Sequence, residues 1–242
     1  MRFRFLSLIF LLLYFFNSCS NGTETNNLSD VDNFKFILYD GLNVSNINAI
    51  SRNLEDNYKR ITGHLEVREM PKVTVKIWAD YNNFLNNMEN DIGIRYTGAT
   101  GYVYGPTELR LYFNNQVSES AVHEFAHLVS MQVNSTVANN PRWLWEAVAL
   151  YETGQFVNPS SLPYMVSGNF PTLNELNTDY NSSNHSIYSV GYVLLEYLID
   201  KWGMDSVINL IKNNGSIAGV LGITTQEFEY GWHEFVQVKY LK

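Results

Sequence analysis

Two histidines and two glutamates occur in this sequence at spacings typical of a metal site that activates water. His123 and His127 enclose Glu124 in the pattern His-Glu-x-x-His, and eighteen residues separate His127 from Glu146. In a helix, residues four apart share a face, so both imidazoles can bind one ion while Glu124 projects beside them. The pattern therefore predicts a zinc hydrolase site.

These residue types suit the chemistry of a catalytic zinc ion. Such an ion takes three protein ligands, commonly neutral imidazole and carboxylate, and keeps one position for water. His123, His127 and Glu146 supply the three ligands. The ion lowers the pKa of its water to about 7, and Glu124 is placed to take the proton as general base. The alternative interpretation is a pair of histidines on the surface of a helix.

Helical patterns position these residues in the second half of the chain. Capping residues and apolar periodicity predict a helix over 118–131, which carries the motif, and another over 140–154, which carries Glu146. A third helix is predicted to begin at Ser186, and a last one at Thr224.

The first third of the chain alternates between strand and helix patterns. Strands are predicted at 34–38, 73–77, 102–104 and 109–113, with an amphipathic helix over 44–61. We therefore expect an α+β fold in one domain, residues 34–242. Its parts are a small α/β lobe with a mixed sheet and an edge strand, residues 34–117, and an all-helical part, residues 118–242.

The N-terminus has the features of an export signal. Arg2 and Arg4 precede an apolar run over 5–16, which is shorter than the roughly 20 residues of a membrane-spanning helix. Residues 1–18 are therefore predicted to be a signal peptide. Cys19 resembles the lipidated cysteine of a bacterial lipoprotein, which implies a membrane anchor in the cell envelope, facing the periplasm or the cell surface.

Composition restricts the partners further. Residues 19–33 are polar and predict a flexible tether behind the anchor. Cys19 is the single cysteine, so no intramolecular disulfide can form, and in a secreted protein without a lipid anchor this cysteine would be incidental. The net charge of −8 argues against nucleic acid as a partner.

The spacing of the motif and Glu146 resembles that of a known protein family. The His-Glu-x-x-His motif, an eighteen-residue gap and Trp-x-x-Glu at 143–146 resemble the gluzincin metallopeptidases, whose third zinc ligand is that glutamate. Residues 34–242 are similar to the peptidase MA-like domain, and distantly to the catalytic domain of the aminopeptidase N family. The resemblance implies a zincin-like fold, one Zn²⁺ ion, and a peptide or protein substrate.

The same resemblance implies roles for residues outside the motif. Tyr188 to Gly191 is similar to the Tyr-x-x-Gly helix of the aminopeptidase N family, in which the tyrosine hydroxyl contacts the reaction intermediate. Tyr188 is therefore the implied oxyanion donor, with His185 as the competing candidate. Two departures stand out: Ala147 replaces a common glycine, and Leu150 occupies the position of an orienting aspartate in thermolysin-like enzymes.

Two further features concern the surroundings of the site. The strand at 108–113 resembles the gluzincin edge strand that binds a substrate backbone by strand addition. Glu152 either orients a metal ligand or lies in solvent at the end of its helix.

Together these features predict an exported, lipid-anchored zinc metallopeptidase. One alternative is a non-catalytic envelope lipoprotein that uses the same fold for binding or scaffolding. Another is a processing factor that cleaves a single partner protein. The presence of Glu124 argues against the non-catalytic alternative, because binding alone has no chemical need for that carboxylate.

Overall fold

A computed structural model describes residues 24–178 and 186–242 and shows a mixed α+β architecture, which confirms the predicted class. The predicted signal peptide, Cys19 and His185 lie outside the described residues.

The described strands form one mixed sheet in the order β1-β2-β3-β5-β4. Neighbours β2, β3 and β5 are parallel, whereas β1 and β4 run antiparallel at the two edges. Apolar side chains on the inner strands are buried, which gives the sheet its place in the core. The strands are β1 (Glu24–Asp30), β2 (Phe34–Tyr39), β3 (Val73–Trp78), β4 (Gly101–Val103) and β5 (Glu108–Tyr112).

The edge strand was predicted at 108–113, and this prediction is wrong. β5 pairs with β3 on one side and with β4 on the other, so it is an inner strand. The chain turns back after β4 through Gly105, whose φ of 69° lies in the left-handed region, and the resulting hairpin covers β5. The edge on this side of the sheet is therefore β4.

A second difference concerns the predicted tether. Residues 19–33 were expected to be flexible, whereas Glu24–Asp30 forms β1 and pairs antiparallel with β2. The ladder hydrogen bonds of such a pairing involve only backbone groups, which β2 presents at its edge.

The other regular elements of the described residues are helices. The predicted helices that carry the motif and Glu146 are confirmed to within two residues at each end, as α3 and α4. No helix of the described ranges is long and apolar enough to cross a membrane. The helices are α1 (Val44–His64), α2 (Tyr81–Ile92), α3 (Val117–Val133), α4 (Arg142–Thr153), α5 (Pro163–Val166), α6 (Leu173–Thr178), α7 (Ile187–Trp202), α8 (Met204–Lys212), α9 (Ile217–Leu221) and α10 (Thr225–Tyr240).

The predicted caps of α7 and α10 are present, whereas α3, which was expected to begin at a Ser118 cap, and α4 both begin without a capping side chain. Ser186 caps α7, and Thr224 forms a capping box with Glu227 at the start of α10. At α4 the N-cap is Pro141, which has no capping side chain. Instead, Asn177 of α6 accepts a hydrogen bond from the backbone N–H of Trp143 at 3.0 Å, so a distant segment satisfies the helix start.

Two small residues set the distance between α4 and α7. A Cβ atom on Gly191 would lie 2.6 Å from Leu150 Cδ1 and 3.2 Å from the backbone Cα of Ala147. The two helices therefore approach more closely than ordinary side chains permit. This approach brings the start of α7, with Tyr188, next to Glu146 on α4.

An ion pair with a buried carboxylate joins α1 to the end of α4. Glu152 is only 2% exposed. The guanidinium group of Arg60 pairs with its carboxylate, and His64 Nδ1 lies 3.0 Å from its Oε1. A carboxylate can be buried at this depth because charged or polar partners replace water. Both open interpretations of Glu152 are therefore wrong, since it neither orients a ligand nor lies in solvent.

The contact between α4 and α7 gives a prediction for stability. Gly191→Val places two methyl groups against Leu150 and Ala147, and overpacking of this kind should lower the free energy of unfolding by about 1–3 kcal/mol. Urea unfolding measures the change. Gly63→Val is the matched control, because Gly63 is an exposed glycine of α1 with open space around it, and it should change stability by less than about 0.5 kcal/mol. Equal effects at the two positions would contradict the packing account.

Candidate metal centre

Helices α3 and α4 bring the three predicted ligands together. One possible ligand atom from each of His123, His127 and Glu146 lies within 4.8 Å of the other two. Glu146 Oε2 is 3.3 Å from His123 Nε2 and 3.6 Å from His127 Nε2. The group can therefore hold one metal ion, with both rings presenting the same nitrogen.

The group also suits a cation because one of its buried oxygen atoms lacks a hydrogen-bond donor. Glu146 Oε2 is buried and has no hydrogen-bond partner with acceptable geometry among the described residues, although both Nε2 atoms are near. A buried carboxylate oxygen without a donor is unfavourable in the absence of a positive charge. Two imidazole nitrogens and one carboxylate oxygen form a donor set that divalent transition metals bind well.

Burial and mutual charge determine the protonation of the protein groups. Burial lowers the pKa of His127 to about 4, which favours the neutral imidazole that a metal needs. Burial opposes ionisation of Glu146, but both histidines outweigh it and hold its pKa far below the usual value. Burial also opposes the charged form of His123, yet the nearby carboxylate of Glu146 raises its pKa.

Glu124 lies beside this group, beneath the edge strand β4. A Cβ atom on Gly101 of β4 would be 2.8 Å from Glu124 Cγ and 3.0 Å from Oε1, so only glycine leaves room for this carboxylate. Burial raises the pKa of Glu124 to about 7, with the charge of Glu146 adding to the effect and His123 opposing it. Helix α3 and strand β4 thus fix the acid next to the proposed ligands.

The group opens on a cleft with a volume of about 640 Å³. His123, Glu124 and Tyr188 line this cleft, together with the aromatic residues Tyr96 and Phe156. The site is therefore accessible to a molecule larger than water.

Tyr188 is the second predicted catalytic residue that the structure brings to this place. Its hydroxyl group donates a hydrogen bond to Glu146 Oε1 at 3.2 Å, and its side chain is 49% exposed. Burial of the hydroxyl group, together with the charge of Glu146, raises the pKa of Tyr188, although Arg142 opposes the shift. The hydroxyl group is therefore protonated at neutral pH and can act as a donor.

Two residues that contact the histidines were missed in the sequence. Gln155 Oε1 lies 3.0 Å from His123 Nδ1. The indole of Trp145 stacks on the ring of His127, with 4.0 Å between centroids and 4° between planes. Trp145 was visible only as an aromatic residue before Glu146. No sequence pattern indicated that Gln155 contacts a histidine, because this residue follows the end of the helix at Gly154.

The remaining histidines of the described chain do not join the group. His64 lies at the end of α1 with Glu152, and the ring of His233 stacks on Phe170 at 4.6 Å.

Comparison with protein-family models and with curated proteins adds no relative. No protein-family model matches the sequence, and no curated protein matches it. The function must therefore be inferred from the arrangement of the residues themselves.

A metal ion that binds this group should stabilise the folded protein. At a free Zn²⁺ concentration about 100 times the dissociation constant, we expect the free energy of unfolding to rise by about 2.7 kcal/mol. His123→Ala removes a ligand and should abolish this increment, whereas His233→Ala, the matched control, should retain it. Urea unfolding with and without Zn²⁺ measures both. Equal increments in the two variants would place the zinc elsewhere.

Proposed function

We propose that this protein is a zinc metallopeptidase with the zincin-like fold of the gluzincins, acting at the cell envelope. The observation that supports the proposal most strongly is the convergence of His123, His127 and Glu146 in one buried group, with Glu124 next to His123 on the cleft that both residues line. The order of these residues along the chain also agrees with the gluzincin spacing.

In this proposal His123, His127 and Glu146 hold one Zn²⁺ ion. When bound, the ion supplies Lewis acidity, which makes a coordinated water more acidic and polarises a carbonyl group. The protein residues then have to move protons, stabilise charge and hold the substrate.

Glu124 is the proposed general base. It is the neighbour of His123 on α3, it lines the cleft, and Gly101 restricts its side chain. A carboxylate at this place can take a proton from the attacking water and pass it to the leaving amine. A fixed position matters here, because proton transfer requires a short and well-oriented contact.

Tyr188 is the proposed oxyanion donor. Its hydroxyl group is protonated, lies at the cleft and already donates to Glu146. A tetrahedral intermediate of peptide hydrolysis carries negative charge on the former carbonyl oxygen, and a donor beside the site stabilises that charge. The competing candidate, His185, lies outside the described residues.

The unpaired edge of strand β4 in the described sheet supports an extended peptide or a protein segment as substrate. Strand β4 pairs with β5 on one side only and lies at the edge of the described sheet. Its other side offers backbone donors and acceptors next to Glu124, and an extended chain can bind such an edge by strand addition. Strand β4 therefore takes the role that the sequence had indicated for 108–113.

The location follows from the N-terminal pattern. We propose that the leader directs export and that Cys19 anchors the domain to a membrane through a lipid. The substrate is then a peptide or protein of the envelope or of the cell surroundings.

The role of Glu124 gives the test of the proposed activity. Glu124→Gln keeps the size and polarity of the side chain but removes the base, so turnover should fall by about 10²–10⁴-fold while bound zinc is retained. Mass-spectrometric cleavage profiles of a mixed peptide library, paired with metal analysis, measure both quantities.

Glu234→Gln is the matched control, because Glu234 is an exposed acid of α10, and cleavage should be unchanged. If Glu124→Gln cleaved as fast as the parent, the mechanism would be wrong. A parent protein that bound zinc but cleaved no peptide would instead favour the binding or scaffolding role.

A further inference from the structure

Gln155 makes a contact that the proposed mechanism does not use. Its side-chain oxygen lies 3.0 Å from His123 Nδ1, on the opposite side of the ring from the nitrogen that faces Glu146. Gln155 is nine residues beyond Glu146 and belongs to no helix or strand. The following inference rests on the metal site of the proposed function.

The end of α4 directs Gln155 back toward His123. Gly154 adopts a φ of 74°, in the left-handed region, and the backbone N–H of Gln155 donates to the carbonyl oxygen of Leu150 at 2.9 Å. This is the pattern of a Schellman motif, which reverses the direction of the chain at a helix end. One helix therefore supplies the ligand Glu146 and also sets the loop that places Gln155.

Gln155 can select the tautomer of His123. An amide oxygen can only accept a hydrogen bond, so the contact requires the ring proton on Nδ1. The lone pair is then on Nε2, the nitrogen that lies 3.3 Å from Glu146 Oε2. With the proton on the other nitrogen, His123 would present N–H to the metal and could not bind it.

His127 is held in a different way. Its Nδ1 is buried and has no hydrogen-bond partner within the part of the chain that the structure describes. Its ring is fixed instead by stacking on Trp145. Of the two histidines, His123 is thus the one whose orientation depends on a hydrogen bond.

Position 150, from which a carboxylate could have accepted a hydrogen bond from His123, is used for helix packing in this protein. Leu150, four residues after Glu146, is buried and contacts the backbone of Gly191 where α4 meets α7. A charged side chain at this position would lose that packing. The neutral amide of Gln155 reaches His123 from beyond the helix end and adds no negative charge to the site.

We propose that Gln155 is a positioning residue of the metal centre: its amide oxygen holds the Nδ1–H tautomer of His123 and thereby turns Nε2 toward the metal. The residue acts through His123 and needs no contact with the substrate. Both the acceptor atom and the fixed ring direction contribute to zinc affinity.

The experiment compares zinc affinity by competition with a chelator in the full domain. Gln155→Leu removes the acceptor, and loss of such a partner typically weakens metal binding by about 10- to 100-fold. Gln155→Glu retains an acceptor oxygen at the same distance along the side chain and should bind zinc at least as tightly as the parent. Gln237→Leu, at an exposed position on α10, is the matched control and should leave the affinity unchanged.

A second readout separates positioning from a general loss of structure. In the zinc-loaded parent and in Gln155→Glu, ¹⁵N-resolved NMR of the histidine rings should show a slowly exchanging Nδ1 proton on His123. This signal should exchange rapidly in Gln155→Leu. The urea midpoint of the metal-free Gln155→Leu protein should remain close to that of the parent, because the change then affects metal binding and leaves the fold intact.

The outcomes distinguish this inference from the function on which it rests. A parent that bound no zinc would overturn both together. Equal zinc affinity in the parent and in Gln155→Leu would overturn the positioning role alone. An equal loss of affinity in Gln155→Leu and Gln155→Glu would also overturn it, because the acceptor atom would then have no part in binding.

Discussion

The structure depends on one electrostatic constraint: a carboxylate and two imidazoles lie within 4.8 Å of one another in a buried place. Groups that lose water in this way need a compensating charge, and a single divalent cation can satisfy all three at once. The constraint involves two helices, because the imidazoles come from α3 and the carboxylate from α4. Anything that shifts one helix against the other changes the site.

Contacts far from the cleft maintain the relative position of these helices. Helix α3 packs against the sheet, against α1 and against α4, and this packing fixes the position of its histidines. At the far end of α4, the ion pair between Arg60 and the buried carboxylate of Glu152 joins this helix to α1. On another face of α4, the missing side chain at Gly191 of α7 allows these two helices to approach closely. The same contacts bring Tyr188 to Glu146 and Gln155 to His123. The packing of the helices therefore also positions the residues of the site.

Much of this arrangement could be predicted from the sequence, because it is recorded in local periodicity. Spacings of three and four residues and capping residues located the helices, and the spacing of His123, His127 and Glu146 indicated a common site. The α+β class followed from the alternation of strand and helix patterns. The relationship to the gluzincins stays a prediction.

The features that were missed depend on distant parts of the chain. Alternation identifies a strand but not its neighbours, so β5 was taken for the edge that β4 occupies. The burial of Glu152 depends on Arg60, which lies 92 residues away in the sequence. Gln155 approaches His123 only because the chain reverses at Gly154, and a helix stop does not reveal where the next side chain points. Pairing, burial and chain reversal are therefore the properties that required the structure.

X-ray absorption at the zinc K-edge of the purified, zinc-loaded domain tests the central claim most directly. The account predicts one zinc ion per chain, with two imidazole nitrogens and one carboxylate oxygen at about 2.0–2.2 Å. A spectrum without the scattering pattern of two histidine rings, or one dominated by sulfur, would contradict it.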